Sequence, residues 1–108
     1  MYAIDQNRWR SLSIFEQMGN IYSEVGRSFN AQRKGNNADM QAATARAIEL
    51  FDATAGGLVV SKSPKSKEVL RAKEQFLAIV NDKNASEKSR QSLERYFMQF
   101  AIVARLNR

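Results

Sequence analysis

The chain has 108 residues, of which 17 are Lys or Arg and 11 are Asp or Glu, giving a formal net charge of +6. It contains neither cysteine nor histidine, which excludes disulfides, zinc fingers and catalysis by a thiol or an imidazole. The length fits one domain, and no apolar run approaches the ~20 residues of a membrane span. The first ten residues also lack the apolar stretch of a signal peptide, so we expect a cytoplasmic protein without membrane contact.

The chain divides into an N-terminal extension, residues 1–12, and one domain, residues 13–108. Ser13 and Glu16 have the spacing of a capping box, in which each side chain satisfies a free backbone N–H at a helix start. Apolar residues then recur every three or four positions, the period of one helix face. The same pattern returns three more times, and the predicted helices cover 13–34, 38–55, 64–81 and 86–106.

Glycine, proline and capping residues set the other predicted boundaries. Asn37 or Asp39 is the expected cap of the second helix, and Gly56-Gly57 is its expected end. The single proline, Pro64, follows a serine, which is typical of the first helical residue after an N-cap. Four amphipathic helices joined by short loops predict an all-α protein, an antiparallel up-down four-helix bundle.

Two glycines and one tryptophan have specific expected roles. Gly19 and Gly26 lie seven residues apart in the first helix, where each costs about 1 kcal/mol relative to alanine. The spacing predicts close approach of a neighbouring helix on that face. Trp9, between Arg8 and Arg10, either packs on the bundle or stacks on a base of a nucleic acid. The residues predicted to form the core include Met18, Ile21, Val25, Phe29, Phe51, Val69, Leu70, Phe76, Leu93, Tyr96, Phe97 and Phe100.

Acidic residues offer one route to enzymatic chemistry. Glu49 and Asp52 are three residues apart on the second helix, and Glu16 and Glu24 are available from the first. Hard cations take carboxylate oxygens, so these four side chains are candidates for a magnesium site in a nucleotide hydrolase. The simpler interpretation is that they pair with Arg27, with Arg46 or with solvent. We predict no catalytic residue, no metal site and no cofactor.

Basic residues give a more specific signal. Five cations and one acid, Glu68, fall between positions 62 and 73, covering a loop and a helix start, where lysines oppose the helix macrodipole. In an up-down bundle this segment and the chain's C-terminus lie at one end, and the end of the first helix lies at the other. Phosphate backbones are the usual partner of such surfaces. The candidate nucleic-acid-binding residues are Lys62, Lys65, Lys67, Arg71, Lys73, Arg105 and Arg108, with Arg33 and Lys34 as a separate patch.

Two other interpretations of this surface remain open. The cations also suit a solvated surface that keeps a small protein soluble, or a dock for an acidic protein partner. Ile102, Val103 and Leu106 extend the apolar surface of the fourth helix beyond one stripe. Such an excess favours a subunit interface.

Three segments of the chain carry a resemblance to a known family. The segments read WxxLSxxEQMGNIxSEVxR at 9–27, AxELxDxT at 47–54 and YFxQFAxxAR at 96–105. This pattern resembles the accessory variability determinants of diversity-generating retroelements. It is also similar to the four-helix proteins encoded by intervening sequences in bacterial large-subunit ribosomal RNA.

The resemblance implies a fold and a function. It implies a basic four-helix bundle that assembles into a ring-shaped homo-pentamer, binds the element's reverse transcriptase and template RNA, and supports mutagenic cDNA synthesis. It implies no catalytic site. The expected function is therefore that of a non-enzymatic, RNA- or DNA-binding accessory protein, and the alternative is a helical protein–protein interaction module without nucleic-acid binding. The candidate site residues rest on charge alone.

Overall fold

A computed structural model describes residues 5–106, which form five α-helices and no strand. The all-α class predicted from the sequence is confirmed. Residues 1–4 of the predicted extension, and the candidate site residue Arg108, lie outside the described residues. The helices are α1 (Gln6–Ser11), α2 (Ile14–Arg33), α3 (Asn37–Val60), α4 (Lys65–Val80) and α5 (Glu87–Leu106).

The core is built around phenylalanine side chains, one from each long helix. Phe29, Phe51, Phe76 and Phe97 are fully buried. Their ring centroids are 5.6 Å apart for Phe29 and Phe76, 5.9 Å for Phe51 and Phe76, and 5.7 Å for Phe51 and Phe97. Such tilted and edge-on pairs add roughly 0.5–1.5 kcal/mol each to the area they bury. Leu70 was also predicted in the core, but it is exposed.

Contacts between helices fix their relative directions. Arg33, the last residue of α2, pairs with Glu87, the first residue of α5, while Gly19 near the start of α2 packs on Ala101. These two contacts show that α2 and α5 run in opposite directions. Across the other side of α2, the Ser28 hydroxyl lies 2.8 Å from that of Thr44 on α3.

The helix starts follow the local signals, except at α3 and α4. The prediction of Pro64 as the first helical residue is wrong, because α4 begins at Lys65 and Pro64 occupies the N-cap position, without a side-chain cap hydrogen bond. The capping box of Ser13 and Glu16 is present, with both reciprocal hydrogen bonds at 3.1 Å. The Ser86 hydroxyl accepts a hydrogen bond from the Ser89 N–H and caps α5. For α3 the predicted caps, Asn37 and Asp39, are wrong, because the Asn36 side chain accepts from a backbone N–H of the first turn.

The predicted end of the second helix at residue 55 is also wrong. Helix α3 continues through Gly56 and Gly57 to Val60, because Leu58 packs against the core and holds the last turn in place. Glycine lowers helix propensity but ends a helix only where the chain takes a left-handed conformation. Here that conformation is taken by Lys62, with φ of 58°.

The described part of the N-terminal extension, residues 5–12, packs on the bundle. Asp5 caps the short helix α1, which carries Trp9 into a buried position on α3. The Trp9 indole N–H donates to the Thr54 hydroxyl at 3.1 Å, and the Trp9 carbonyl accepts from Gln17. Packing on the bundle is therefore the observed role of Trp9, and the base-stacking interpretation is wrong.

One of the two glycines of α2 has the predicted close neighbour. A Cβ on Gly19 would lie 3.4 Å from Ala101 Cα, so α2 and α5 approach closely there. A Cβ on Gly26 would meet nothing within 4 Å, and the prediction of a close approach at Gly26 is wrong. Gly35 follows α2 with φ of +71°, and its N–H bonds to the Gln32 carbonyl.

We predict opposite effects of alanine at two of these glycines. Gly26→Ala raises the free energy of unfolding by about 0.5–1 kcal/mol, since it improves helix propensity without a steric clash. Gly35→Ala lowers it by about 1 kcal/mol, since a side chain disfavours the left-handed conformation. Thermal denaturation followed by circular dichroism measures both. A melting temperature that falls for Gly26→Ala would contradict the assignment of open space at that position.

Candidate nucleic-acid interface

Five predicted cations lie at the end of the bundle where α2 begins and α5 finishes. We call this set the basic end: Lys62, Lys65, Lys67, Arg71 and Arg105. Lys65, the first residue of α4, lines a small pocket together with Ile14 of α2 and Phe100 of α5. Lys62 follows α3, and Arg105 lies in the last turn of α5. The prediction that these segments share one end of the bundle agrees with the structure.

The cations of the basic end are exposed, and among residues 5–106 none of them forms an ion pair. The nearby acid, Glu68, accepts a hydrogen bond of 2.6 Å from the Tyr96 hydroxyl. Burial is the main cause that raises the pKa of the Tyr96 phenol, and the hydrogen bond to Glu68 raises it further. The positive charges are therefore available to an anionic partner.

Lys62 is held in an unfavourable backbone conformation. Its N–H bonds to the Val59 carbonyl, and the N–H of Ser63 bonds to the Leu58 carbonyl. These two hydrogen bonds form a Schellman motif, whose left-handed position is usually glycine. A residue with a side chain costs roughly 1 kcal/mol or more in this conformation. The same motif at the end of α2 has Gly35 in the equivalent position.

Two predicted site residues already have acidic partners. Lys73 Nζ lies 2.7 Å from the Asp52 carboxylate. Arg33 bonds to Glu87 at 2.9 Å and to Glu94 at 2.6 Å, and these hydrogen bonds raise its pKa. Because their charges are compensated within the fold, we remove Lys73 and Arg33 from the candidate interface.

Two further cations lie outside the set that forms the basic end: Lys34, which was a predicted candidate, and Arg10, which was not. Lys34 is exposed just beyond α2, at the opposite end of the bundle from the basic end. Arg10, which was not among the candidate residues, lines a depression with Leu58, Val60 and Ser61 of the α3 terminus. Its place depends on the docking of α1, and the sequence offered packing of Trp9 on the bundle without indicating where α1 would lie.

The acids proposed for a magnesium site do not assemble. Glu24 bonds to Arg27 and Arg46, and Asp52 bonds to Lys73. Among the described residues no group of three or more acidic side chains is placed to hold a metal ion. The observed pairing with cations matches the simpler interpretation of Glu24 and Asp52.

Helix α5 presents an apolar stripe to solvent. Met98, Ile102 and Leu106 recur every four residues and are all exposed, Leu106 by 78% of its surface. Val59 and Val60 are exposed at the end of α3, which is also at the basic end. Contiguous exposed apolar side chains on a small protein favour contact with another macromolecule.

No protein-family model, curated protein or solved structure matches this chain. Among the helices described, none is both long and apolar enough to cross a bilayer.

We predict that Lys62→Gly stabilises the fold by about 0.5–1 kcal/mol, since glycine relieves the left-handed strain at the end of α3. As a control, Arg71→Gly inside α4 lowers stability by about 1 kcal/mol, since glycine is disfavoured in a helix interior. Urea denaturation of the two variants measures both changes. Equal losses in the two variants would contradict a strained Lys62.

We also predict an acid-dependent contribution from Glu87. Hydrogen bonds from Arg33 and then Arg90 lower the pKa of this carboxyl from 4.5 to about 2. A depressed carboxyl pKa stabilises the fold above the unfolded value, and this stabilisation is lost as the pH falls toward the folded value. The melting temperature of Glu87→Gln is therefore expected to lie below that of the native chain at pH 7 and to converge with it near pH 2. A constant difference across that range would contradict the ion pair.

Proposed function

We propose that this chain is a non-enzymatic accessory protein of a diversity-generating retroelement. In this proposal it acts in the cytoplasm as a homo-oligomer and binds the element's template RNA and its reverse transcriptase. The proposal rests on the family resemblance of segments 9–27, 47–54 and 96–105 and on the surface of the bundle. The all-α fold is compatible with that family.

The observation that carries the RNA-binding part is the concentration of five exposed cations at the basic end. The other end also has exposed lysines, Lys34, Lys83 and Lys88, but it holds in addition the acids that pair with its arginines. At the start of α5, Glu87 and Glu94 neutralise Arg33. At the basic end, the cations have no acidic partner within residues 5–106, and Lys62 occupies a position where glycine would be more stable. A charged side chain at a strained position favours a role in binding an anion. Exposed cations without base-reading motifs suit the phosphate backbone, through counterion release.

The apolar stripe of α5 supports the oligomeric part. Ile102 is 46% exposed and is flanked one turn away on each side by Met98 and Leu106. Interfaces between identical subunits bury surfaces of this kind, and closed rings follow when the contact is repeated by rotation. Assembly would bring several basic ends together. The oligomer would then present a larger total positive charge to one RNA molecule than a single subunit does.

The same stripe favours a second candidate function. A helical interaction module would use Met98, Ile102 and Leu106 to bind a protein partner and would not contact nucleic acid. The two candidates differ in their response to RNA at low salt, which only the first requires.

The test is an RNA-binding titration with charge-reversed variants. We expect Lys65→Glu with Lys67→Glu to weaken binding to two unrelated structured RNAs equally. The slope of log affinity against log salt should become less steep by about 0.7–0.9 for each phosphate that the variant no longer neutralises. Fluorescence anisotropy over a range of salt concentrations measures both quantities.

The matched control carries the same charge change at the other end of the bundle. Lys83→Glu with Lys88→Glu replaces two exposed lysines near the start of α5. We expect this variant to retain most of the affinity and slope. Equal losses in both double variants would show that net charge alone governs binding, and unchanged affinity in the first would contradict the role of the basic end.

A further inference from the structure

A depression between α2 and α3, lined in part by three cations, lies apart from the basic end. It encloses about 360 Å³ and faces the C-terminal half of α2 and the N-terminal half of α3. Three cations, Arg27, Lys34 and Arg46, line it, and small side chains such as Ala31 and Ala42 form part of its wall. None of these residues belongs to the basic end. Lys34 was a candidate nucleic-acid-binding residue in the sequence analysis, but it lies at the opposite end of the bundle.

A buried carboxylate holds two of these cations together. Glu24 is only 8% exposed. One of its oxygens accepts from Arg27 Nη1 at 2.6 Å, and the other accepts from Arg46 Nε at 3.0 Å. Since the two arginines come from different helices, Glu24 fixes two guanidinium groups next to each other.

Both guanidinium groups keep unused donors. Arginine has five N–H donors in a planar fork, and within residues 5–106 the hydrogen bonds of Arg27 and Arg46 each use a single nitrogen. The Arg27 side chain is 64% exposed, and that of Arg46 is 34% exposed. Their free N–H groups are therefore accessible to a ligand in the depression.

The charges and the shape favour one class of ligand. Paired guanidinium forks match the oxygens of a phosphoryl group, which they bind with charge-assisted hydrogen bonds. Lys34 adds a third cation, and the acid at the rim, Asp39, accepts a hydrogen bond from the Asn36 side chain at 2.8 Å. Three cations against Glu24 and Asp39 leave one excess positive charge around the depression.

We propose that this depression is a phosphoryl-binding site in which Arg27 and Arg46 donate to the phosphoryl oxygens. Lys34 contributes charge, and Glu24 is a positioning residue that holds the arginine pair in place. Prior ordering of the two side chains reduces the entropy lost on binding. The site does not depend on the retroelement proposal or on the basic end.

The test is an NMR titration with inorganic phosphate at constant ionic strength, following the Nε–Hε signals of the arginines. We expect saturable shifts of Arg27 and Arg46 and no saturable shift of Arg95, an exposed arginine of α5. Arg46→Lys should weaken phosphate binding about tenfold, since a lysine cannot keep the bond to Glu24 and also present a fork. Linear shifts of all arginines would show non-specific ion binding and would overturn the proposal.

Glu24→Gln separates positioning from simple charge attraction. This substitution removes a negative charge beside the site, so non-specific attraction predicts tighter phosphate binding. Positioning by Glu24 predicts weaker binding, because the two guanidinium groups lose their common acceptor. Weaker binding with native helix content, measured by circular dichroism, supports the proposal, and tighter binding overturns it. If Glu24→Gln fails to fold, Arg27→Lys at the more exposed position replaces it, with a loss of affinity again required.

A final pair of RNA ligands shows whether the site binds a terminal phosphate, a backbone phosphate or free phosphate. A short RNA with a 5′-phosphate and the same RNA with a 5′-hydroxyl are titrated separately against the Arg27 and Arg46 signals. Saturable binding of the phosphorylated RNA alone assigns the site to a terminal phosphate, and equal binding assigns it to the backbone. Binding of inorganic phosphate alone assigns it to a free phosphate. Because the signals are specific to Arg27 and Arg46, the outcome is independent of whether the basic end binds RNA.

Discussion

The packing of four phenylalanines at the centre of the bundle is the interaction on which the rest of the structure depends. Phe29, Phe51, Phe76 and Phe97 each come from a different long helix, and their rings contact one another in a chain. Loss of one ring from such a core costs roughly 3–5 kcal/mol, a large part of the stability of a domain of this size. This one cluster joins all four long helices, while the contacts of Arg33 with Glu87 and of Gly19 with Ala101 show which ends of α2 and α5 lie together.

The two ends of the bundle differ in their acidic partners, although exposed lysines such as Lys83 and Lys88 also lie near the start of α5. Near the start of α5, acidic side chains meet Arg33 and Arg90. Near the start of α4, cations face solvent without acidic partners among the described residues. The sequence carries a net positive charge, but the fold determines where that charge is uncompensated. The field of the basic end, rather than the total charge, would steer an anionic partner.

Local signals predicted much of the fold. The Ser13 and Glu16 capping box and the Ser86 cap involve residues within one turn, so their patterns are visible in the sequence. The end of α3 depends instead on the packing of Leu58 against the core, which overrides the weak helix propensity of Gly56 and Gly57.

The candidate site was less predictable, because ion pairs join residues far apart in the chain. Lys73 is neutralised by Asp52 from the preceding helix, and Arg33 by Glu87 from the last. Nothing in the local sequence shows these partners. Pairing of the acids with Arg27 or Arg46 was expected from the sequence. The spacing of Glu24 and Arg27 is local, whereas the choice of Glu24 as the partner of Arg46 depends on the packing of α3 on α2.

The proposed function requires that this bundle assembles through its apolar surface and binds RNA through its basic end. Size-exclusion chromatography with multi-angle light scattering, at low and moderate salt and with or without a structured RNA, tests both parts together. We predict a closed oligomer, of about five copies if the family resemblance holds, whose mass increases with RNA at low salt and not at higher salt. A monomer that elutes unchanged in the presence of RNA at both salt concentrations would contradict it.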